Sequence, residues 1–543
     1  MTIMKNTFTN PILKGFYPDP SICRVGEDYY LATSSFDYFP GIPIFHSRDL
    51  VHWEQLGHAI HRPEQLDYSK AAFSEGAWAP SLRYHNGVFY IINTFVTEGR
   101  EAERMNYIVT AADPAGPWSD PIVVKGADGI DSSLFFDDDG SVWYCGNYIS
   151  KEKLYPSHHG IYLCELDPET FQFKGERKII WDGKWSHAKY IEAPHIYKMN
   201  GMYYLIVAEG GTFFNHCVMM ARCKTIDGNY EICPRNPIVS HRHLSLMHPI
   251  SVTGHADIVE TQNGEWWMVL LGVRPYTGVQ FNTGRETFLV PIVWEEDGWP
   301  RIDNDDGIVH FEERLPNLPT TYYPVSCPND QFESETLGLQ WNMIRPAKTS
   351  FYSLSERKGW LRLFMQEKTL ADNYCTPSFL GRRQQDQYFA AGTAMEFHPA
   401  SDREEAGIAM VQSNEFHYLY TVQAEGGQAY LTLSKNFNQA EFFDNQYLGV
   451  DLKKDEIKRL PLPGYQGKIY LWVQNECETY SLYYGFEESQ RLPFLSGLDA
   501  SLLSSNVAGG FVGAYLGMYC SSNHAPSDNY ADFDWFQYYP FEG

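Results

Sequence analysis

Three carboxylates and a histidine stand out by position. Asp19, Asp131, Glu192 and His255 each lie three or four residues ahead of an apolar residue that opens a strand-like run: Ile22, Leu134, Ile196 and Ile258. Trp78 holds the same place ahead of Leu82. Alone, each has an ordinary explanation. An Asp before Pro-Ser, as in Pro18-Asp19-Pro20-Ser21, is usually a turn former whose side chain bonds nearby backbone, and a Trp in a β protein usually fills the core. Brought together, however, three like charges repel, and such a cluster is costly unless its shifted proton affinities are used. Carboxylates beside an aromatic platform suit chemistry on a sugar.

The elements that would bring them together are five β-hairpins. The clearest runs from His195 through Asn200-Gly201 to Val207, two alternating apolar strands around a tight Asn-Gly turn. Turn glycines recur at Gly26, Gly87, Gly140, Gly201 and Gly264, about sixty residues apart, which is the signature of one supersecondary unit per period. Most units add an Asp-led turn followed by an aromatic, such as Arg48-Asp49-Leu50 with Trp53, or Asp167-Pro168 with Phe171. Each unit therefore reads as two hairpins, hence a four-stranded sheet, and five of them predict an all-β, five-bladed β-propeller. The first strand of every blade lines the axis, so aligned positions converge at one mouth of the channel.

At 543 residues the chain exceeds what one core supports and predicts two domains. The repeat spans 1–315, ending at the proline-marked Leu315-Pro316-Asn317-Leu318-Pro319, a linker covers 316–326, and 327–543 shows short strand-like runs such as Trp360-Leu361-Arg362-Leu363 and Ile469-Tyr470-Leu471-Trp472-Val473. Without helical periodicity between them, these runs predict an antiparallel β-sandwich.

A formal net charge of −26 argues against nucleic acid and anionic membrane as partners, and a neutral substrate fits best. The N-terminal stretch has no secretory h-region and no eighteen consecutive apolar residues occur, so a cytoplasmic location is expected. Ten cysteines without a Cys-x-x-Cys pair read as free thiols. Asp137-Asp138-Asp139-Gly140 reads as a solvated turn rather than a calcium loop, and His241-Arg242-His243 as loop. For His255 two readings stay open, a bond to a neighbouring carboxylate or contact with a channel-bound cation or water.

Pro18-Asp19-Pro20-Ser21, Trp78-Ala79-Pro80-Ser81, Gly129-Ile130-Asp131-Ser132-Ser133, Glu192-Ala193-Pro194-His195 and Gly254-His255-Ala256-Asp257 together resemble the signature of family-43 glycoside hydrolases. With Ala531-Asp532-Phe533-Asp534-Trp535-Phe536, the likeness extends to the two-domain β-xylosidase and α-L-arabinofuranosidase branch, whose concanavalin-like sandwich closes the active-site pocket. The resemblance implies an inverting exo-glycosidase on xylo- or arabinoxylo-oligosaccharides, with Asp19 as general base, Glu192 as general acid and Asp131 orienting the acid and raising its pKa. It further implies Arg285 on the hydroxyls of the terminal sugar, Phe36 and Trp78 as pocket walls, and Phe511 as the residue the sandwich contributes. No cofactor is required for that chemistry. Some relatives hold calcium through the histidine matching His255, with Asp257 assisting through water, and homo-oligomers occur among chains of this kind. Ser132-Ser133 departs from the Pro-Ser or Ala-Ser of many relatives. The competing readings are an endo-arabinanase, which needs an open groove, and a non-catalytic carbohydrate-binding propeller, which gains nothing from three repelling carboxylates.

Overall fold

A computed structural model describes residues 6–98, 103–324, 329–443 and 446–543, and nearly all of its regular structure is β-strand. Five antiparallel sheets follow one another. Blade 1 is Ser21–Val25, Asp28–Ala32, Gly41–Ser47 and Glu54–Ile60, paired in that order. Blades 2 to 5 repeat the plan from innermost strands Gly76–His85, Ser133–Phe136, Glu192–Met199 and Ser251–Glu260, and blade 4 adds a short strand, Val239–Ser240. Each innermost strand touches the next, and that of blade 5 touches that of blade 1, so the sheets close into a five-bladed propeller.

The hairpin turns follow from local chemistry. All five turn glycines have φ between +66° and +87°, the left-handed region that a side chain disfavours. Closure uses the two ends of the propeller segment. Thr7–Thr9 pairs with Glu312–Arg314, and Asn10 exchanges two 2.9 Å bonds with the backbone of Leu289 in blade 5. The predicted linker leaves along this seam, with Leu315 and Leu318 packed on the core shared by blades 1 and 5 and the Thr321 amide donating to Asp49 at 2.9 Å; 325–326 and Cys327 lie outside the described residues.

The second half is a two-sheet antiparallel sandwich. One sheet orders Ser378–Arg383, Tyr515–Ser521, Glu405–Val411, His417–Glu425, Gln428–Asn438 and Leu452–Pro461; the other is centred on Tyr530–Pro540, Tyr388–Phe397 and Lys468–Glu476. Their facing residues, among them Ile408, Tyr420, Leu431, Leu471, Val473 and Phe533, share one core. That core continues into blades 1 and 2 through Phe39, Ile42, Tyr68 and Phe95, so the halves are joined by apolar packing as well as by chain. Backbone pairing of Tyr38–Phe39 with Met343–Ile344 and the stacked rings of Tyr38 and Tyr515, 3.7 Å apart, set their mutual orientation. Such a ring pair contributes about 1 kcal/mol beyond its buried area.

One strand lies outside the runs singled out in the sequence, and one residue differs from its sequence reading. Leu452–Pro461 is a strand despite its run of charges, because it forms the exposed edge of its sheet, where lysines discourage pairing with another chain. Asp137 is not solvated: it is buried and accepts hydrogen bonds from Lys198 and Tyr203, tying the turn of blade 3 to blade 4. The cysteines among the described residues are free thiols, and among those residues no helix is long and apolar enough to cross a membrane.

Candidate active site

The backbone at most of the aligned axial positions is unusual. Asp19, Asp131, Ala193 and His255, four of the five aligned positions, have φ of +55°, +52°, +51° and +49°. Non-glycine residues rarely adopt this conformation. The strand ladders break register at the same place, between Glu192 and His195 in blade 4 and around Gly254 in blade 5. An irregularity of this kind bends the strand and re-aims a side chain. In blade 4 the strained position is Ala193 and the carboxylate comes one residue earlier, at Glu192.

All eight residues singled out in the sequence line a single cavity of about 850 Å³: Asp19, Asp131, Glu192, Phe36, Trp78, His255, Arg285 and Phe511. Burial disfavours ionisation at every carboxylate, and neighbours then separate them. Around Asp19, 3% exposed, the burial effect is outweighed: Arg285 Nη1 donates to Oδ1 at 2.7 Å, His255 Nδ1 lies 3.5 Å from the same oxygen, and the Ser34 hydroxyl donates to Oδ2 at 2.5 Å. Its pKa is held below the ordinary carboxylate range. Asp131 has no such cation at contact; burial, then repulsion from Glu192 and Asp19, pushes it well up, against one bond from the Ala193 amide at 3.2 Å. Glu192 is pushed up to about 7, by burial first and then by Asp19, with Arg104, Arg285 and Lys189 opposing. One cavity thus holds an ionised carboxylate and a pair that retains a proton near neutrality.

The aromatic walls come from both halves. Phe511 of the sandwich stacks on Phe36 at 6.0 Å and meets Trp78 edge-on at 5.5 Å, while the Arg285 guanidinium lies 5.5 Å from the Phe36 ring centre and 5.8 Å from that of Phe511. Arg285, expected on sugar hydroxyls, has Nη1 on Asp19 and Nη2 on the Phe511 carbonyl at 3.3 Å, which leaves its buried Nε as the nitrogen without a protein partner.

Calcium fits poorly as a side-chain-held ion. Both Asp257 oxygens are already engaged, Oδ2 by Arg83 at 2.8 Å and Ser21 at 2.7 Å, and Oδ1 by Tyr197. Among the described residues no group of three or more His, Cys, Asp or Glu is placed to hold a metal. Calcium takes six to eight oxygen ligands, so an ion at His255 would depend almost wholly on water.

Sequence reasoning missed several lining residues. Arg104 lies in an outer strand of blade 2, His159 Nδ1 is 3.9 Å from Glu192, Tyr190 packs edge-on against His159, and the sandwich supplies Asn414, Glu415 and Leu448. None occupies an aligned axial position, so the hairpin repeat carries no signal for them. The Ser132 hydroxyl, at the departure from the family pattern, donates to Asn106 and stays out of the cavity lining.

Residues 8–300 match the family described as Glycosyl hydrolases family 43, and 329–539 match the Beta xylosidase C-terminal Concanavalin A-like domain. The chain belongs to glycoside hydrolase family 43. Among family-43 relatives it is 39% identical to a xylosidase/arabinosidase of Butyrivibrio fibrisolvens, covering 97% of this chain and 98% of that one. It is 38% identical to a non-reducing end alpha-L-arabinofuranosidase of Bacteroides ovatus, over 99% and 96% of the two chains. The crystal structure of a xylan beta-1,4-xylosidase from Bacillus halodurans superposes with a TM-score of 0.90 at 36% identity, over 98% and 99%. Like its family, this two-domain enzyme is a glycoside hydrolase that inverts.

Proposed function

We propose that this family-43 enzyme removes single terminal β-1,4-xylosyl or α-L-arabinofuranosyl units from xylan-derived oligosaccharides, with Asp19 as general base and Glu192 as general acid. The observation that carries the assignment is the split in proton affinity within one cavity, Asp19 low and Glu192 at about 7. Inversion requires an ionised carboxylate to activate water on one face of the sugar and a protonated one to meet the leaving oxygen on the other. Arg285, His255 and Ser34 keep Asp19 able to take the water's proton. Burial and the carboxylates around it keep Glu192 able to give one. Asp131 accepts from the Ala193 amide, the peptide that follows the acid, and it is raised by repulsion from Glu192, a repulsion shared by the pair so that the two do not readily ionise together. Water attacks the anomeric carbon as the glycosidic bond breaks; its proton passes to Asp19, and the proton of Glu192 passes to the departing oxygen.

Action at a chain end is supported by Phe511 and the 446–450 segment of the sandwich, which wall the cavity where an endo-arabinanase needs an open groove. Xylose and arabinofuranose present similar hydroxyls, so both stay within the reading. The test is to offer purified protein xyloside and arabinofuranoside chromogens side by side, with and without chelator, and follow the product anomer by proton NMR. The expected result is release of the inverted monosaccharide; binding without turnover would favour the carbohydrate-binding alternative.

A further inference from the structure

Phe511 reaches the cavity on a backbone with little stiffness of its own. It follows a four-residue helix, Ser505–Ala508, and two glycines, Gly509 and Gly510, at φ of +75° and +74°. Glycine loses more conformational freedom on ordering than any other residue, so this approach must be pinned from outside. Two bonds pin it. The Phe511 amide donates to Ser74 Oγ at 2.9 Å, and the Phe511 carbonyl accepts from Arg285 Nη2 at 3.3 Å.

Ser74 is shaped for this contact. Its φ is +64°, and its amide donates to Asp37 Oδ1 at 2.9 Å, which fixes it to the stretch carrying Phe36. Its carbonyl accepts from the Trp78 indole at 3.1 Å. One residue therefore holds all three aromatic walls, Phe36 by way of Asp37, Trp78 through its indole, and Phe511 across the domain boundary. Gly510 is part of the same fit, because a Cβ there would come within 2.4 Å of Ser74 Oγ.

We propose that Ser74 is a positioning residue, a latch whose hydroxyl seats the sandwich domain's Phe511 against the sugar-binding end of the cavity. The role rests on the proposed exo-glycosidase reading, since it assumes that Phe511 walls the terminal sugar. A wall that touches substrate and transition state alike contributes uniform binding, so loosening it raises KM and leaves kcat in place. The Arg285–Asp19 bond does not involve Ser74, so the acid limb of the pH profile should stay where it is.

The test uses Ser74→Gly, which removes the hydroxyl while suiting the positive φ, and Gly510→Ala, which wedges the same contact from the other side. One hydrogen bond corresponds to about a tenfold effect. KM for the xyloside chromogen and the inhibition constant of the free monosaccharide should both rise by about that factor in each variant, with kcat within twofold. Hydrogen exchange of the peptide carrying Phe511 should accelerate by about tenfold in full-length Ser74→Gly, whether or not the protein cleaves either chromogen. Unchanged exchange would overturn the latch itself. Faster exchange with unchanged KM and inhibition constants, or a fall in kcat at constant KM, would overturn its role in seating the sugar. Should wild-type protein cleave neither chromogen, the exo-glycosidase reading fails and with it the role at the sugar, while exchange still reports separately whether the contact exists.

Discussion

Replacing Glu192 by Gln tests the acid assignment most directly. An ordinary Glu with a pKa of 4.5 is about 0.3% protonated at pH 7, whereas one raised to about 7 is half protonated. The environment thus multiplies the competent fraction by roughly 150, equivalent to about 3 kcal/mol. Because protonated Glu192 is the working form, the wild-type rate should fall as pH rises through about 7. A positioned general acid contributes about 10²–10⁴-fold when the leaving group needs a proton. Glu192→Gln should lose that much on xylobiose, whose leaving sugar departs poorly as an alkoxide, and less than about tenfold on dinitrophenyl β-xyloside, whose leaving group is already stable as an anion. The assay is kcat against pH for both substrates in both proteins. Equal losses on the two substrates, or a basic limb near 7 that survives in the variant, would refute the argument.

Asp131→Asn should move the basic limb of wild-type activity to lower pH by about one unit, because Glu192 ionises more readily once its repelling neighbour is gone; an unmoved limb removes Asp131 from that role. Arg285→Gln should do the opposite at the other limb. Asp19 works ionised, so activity is lost as pH falls through its pKa, and without the guanidinium burial raises that pKa by about 1–3 units; an acid limb that stays put would show that Arg285 does not hold the base charged. Arg83→Met leaves Asp257, fully buried between blades, without its cation, and should cost about 3–5 kcal/mol in denaturant unfolding; a loss below about 1 kcal/mol would mean that the pair is not needed for the ring.

The hairpins were legible because everything that makes them is local. Asn200-Gly201, the alternation around it and its four relatives act within a dozen residues, so blade number and the axial alignment follow from the chain read in order. Aligning the blades also indicated which acids face one channel. It could not indicate why four of the five positions work there: the positive φ at Asp19, Asp131, Ala193 and His255 belongs to strained backbone held by the closed ring. The charged edge Leu452–Pro461 escaped notice because alternation marks a half-buried strand, and this one lies mostly in solvent.

What the sequence determined by itself is therefore the set of candidate acids and the fold that gathers them. Their separation in proton affinity was decided by tertiary structure. Burial acts on all three alike, and the difference comes from a cation at contact, which Asp19 has and Asp131 lacks and which arrives from far along the chain: Arg285 reaches Asp19 across 266 positions, as Phe511 of the cavity wall reaches Ser74 across 437. A local pattern carries no record of such partners, because a charge interaction depends on distance in space and on the dielectric around it.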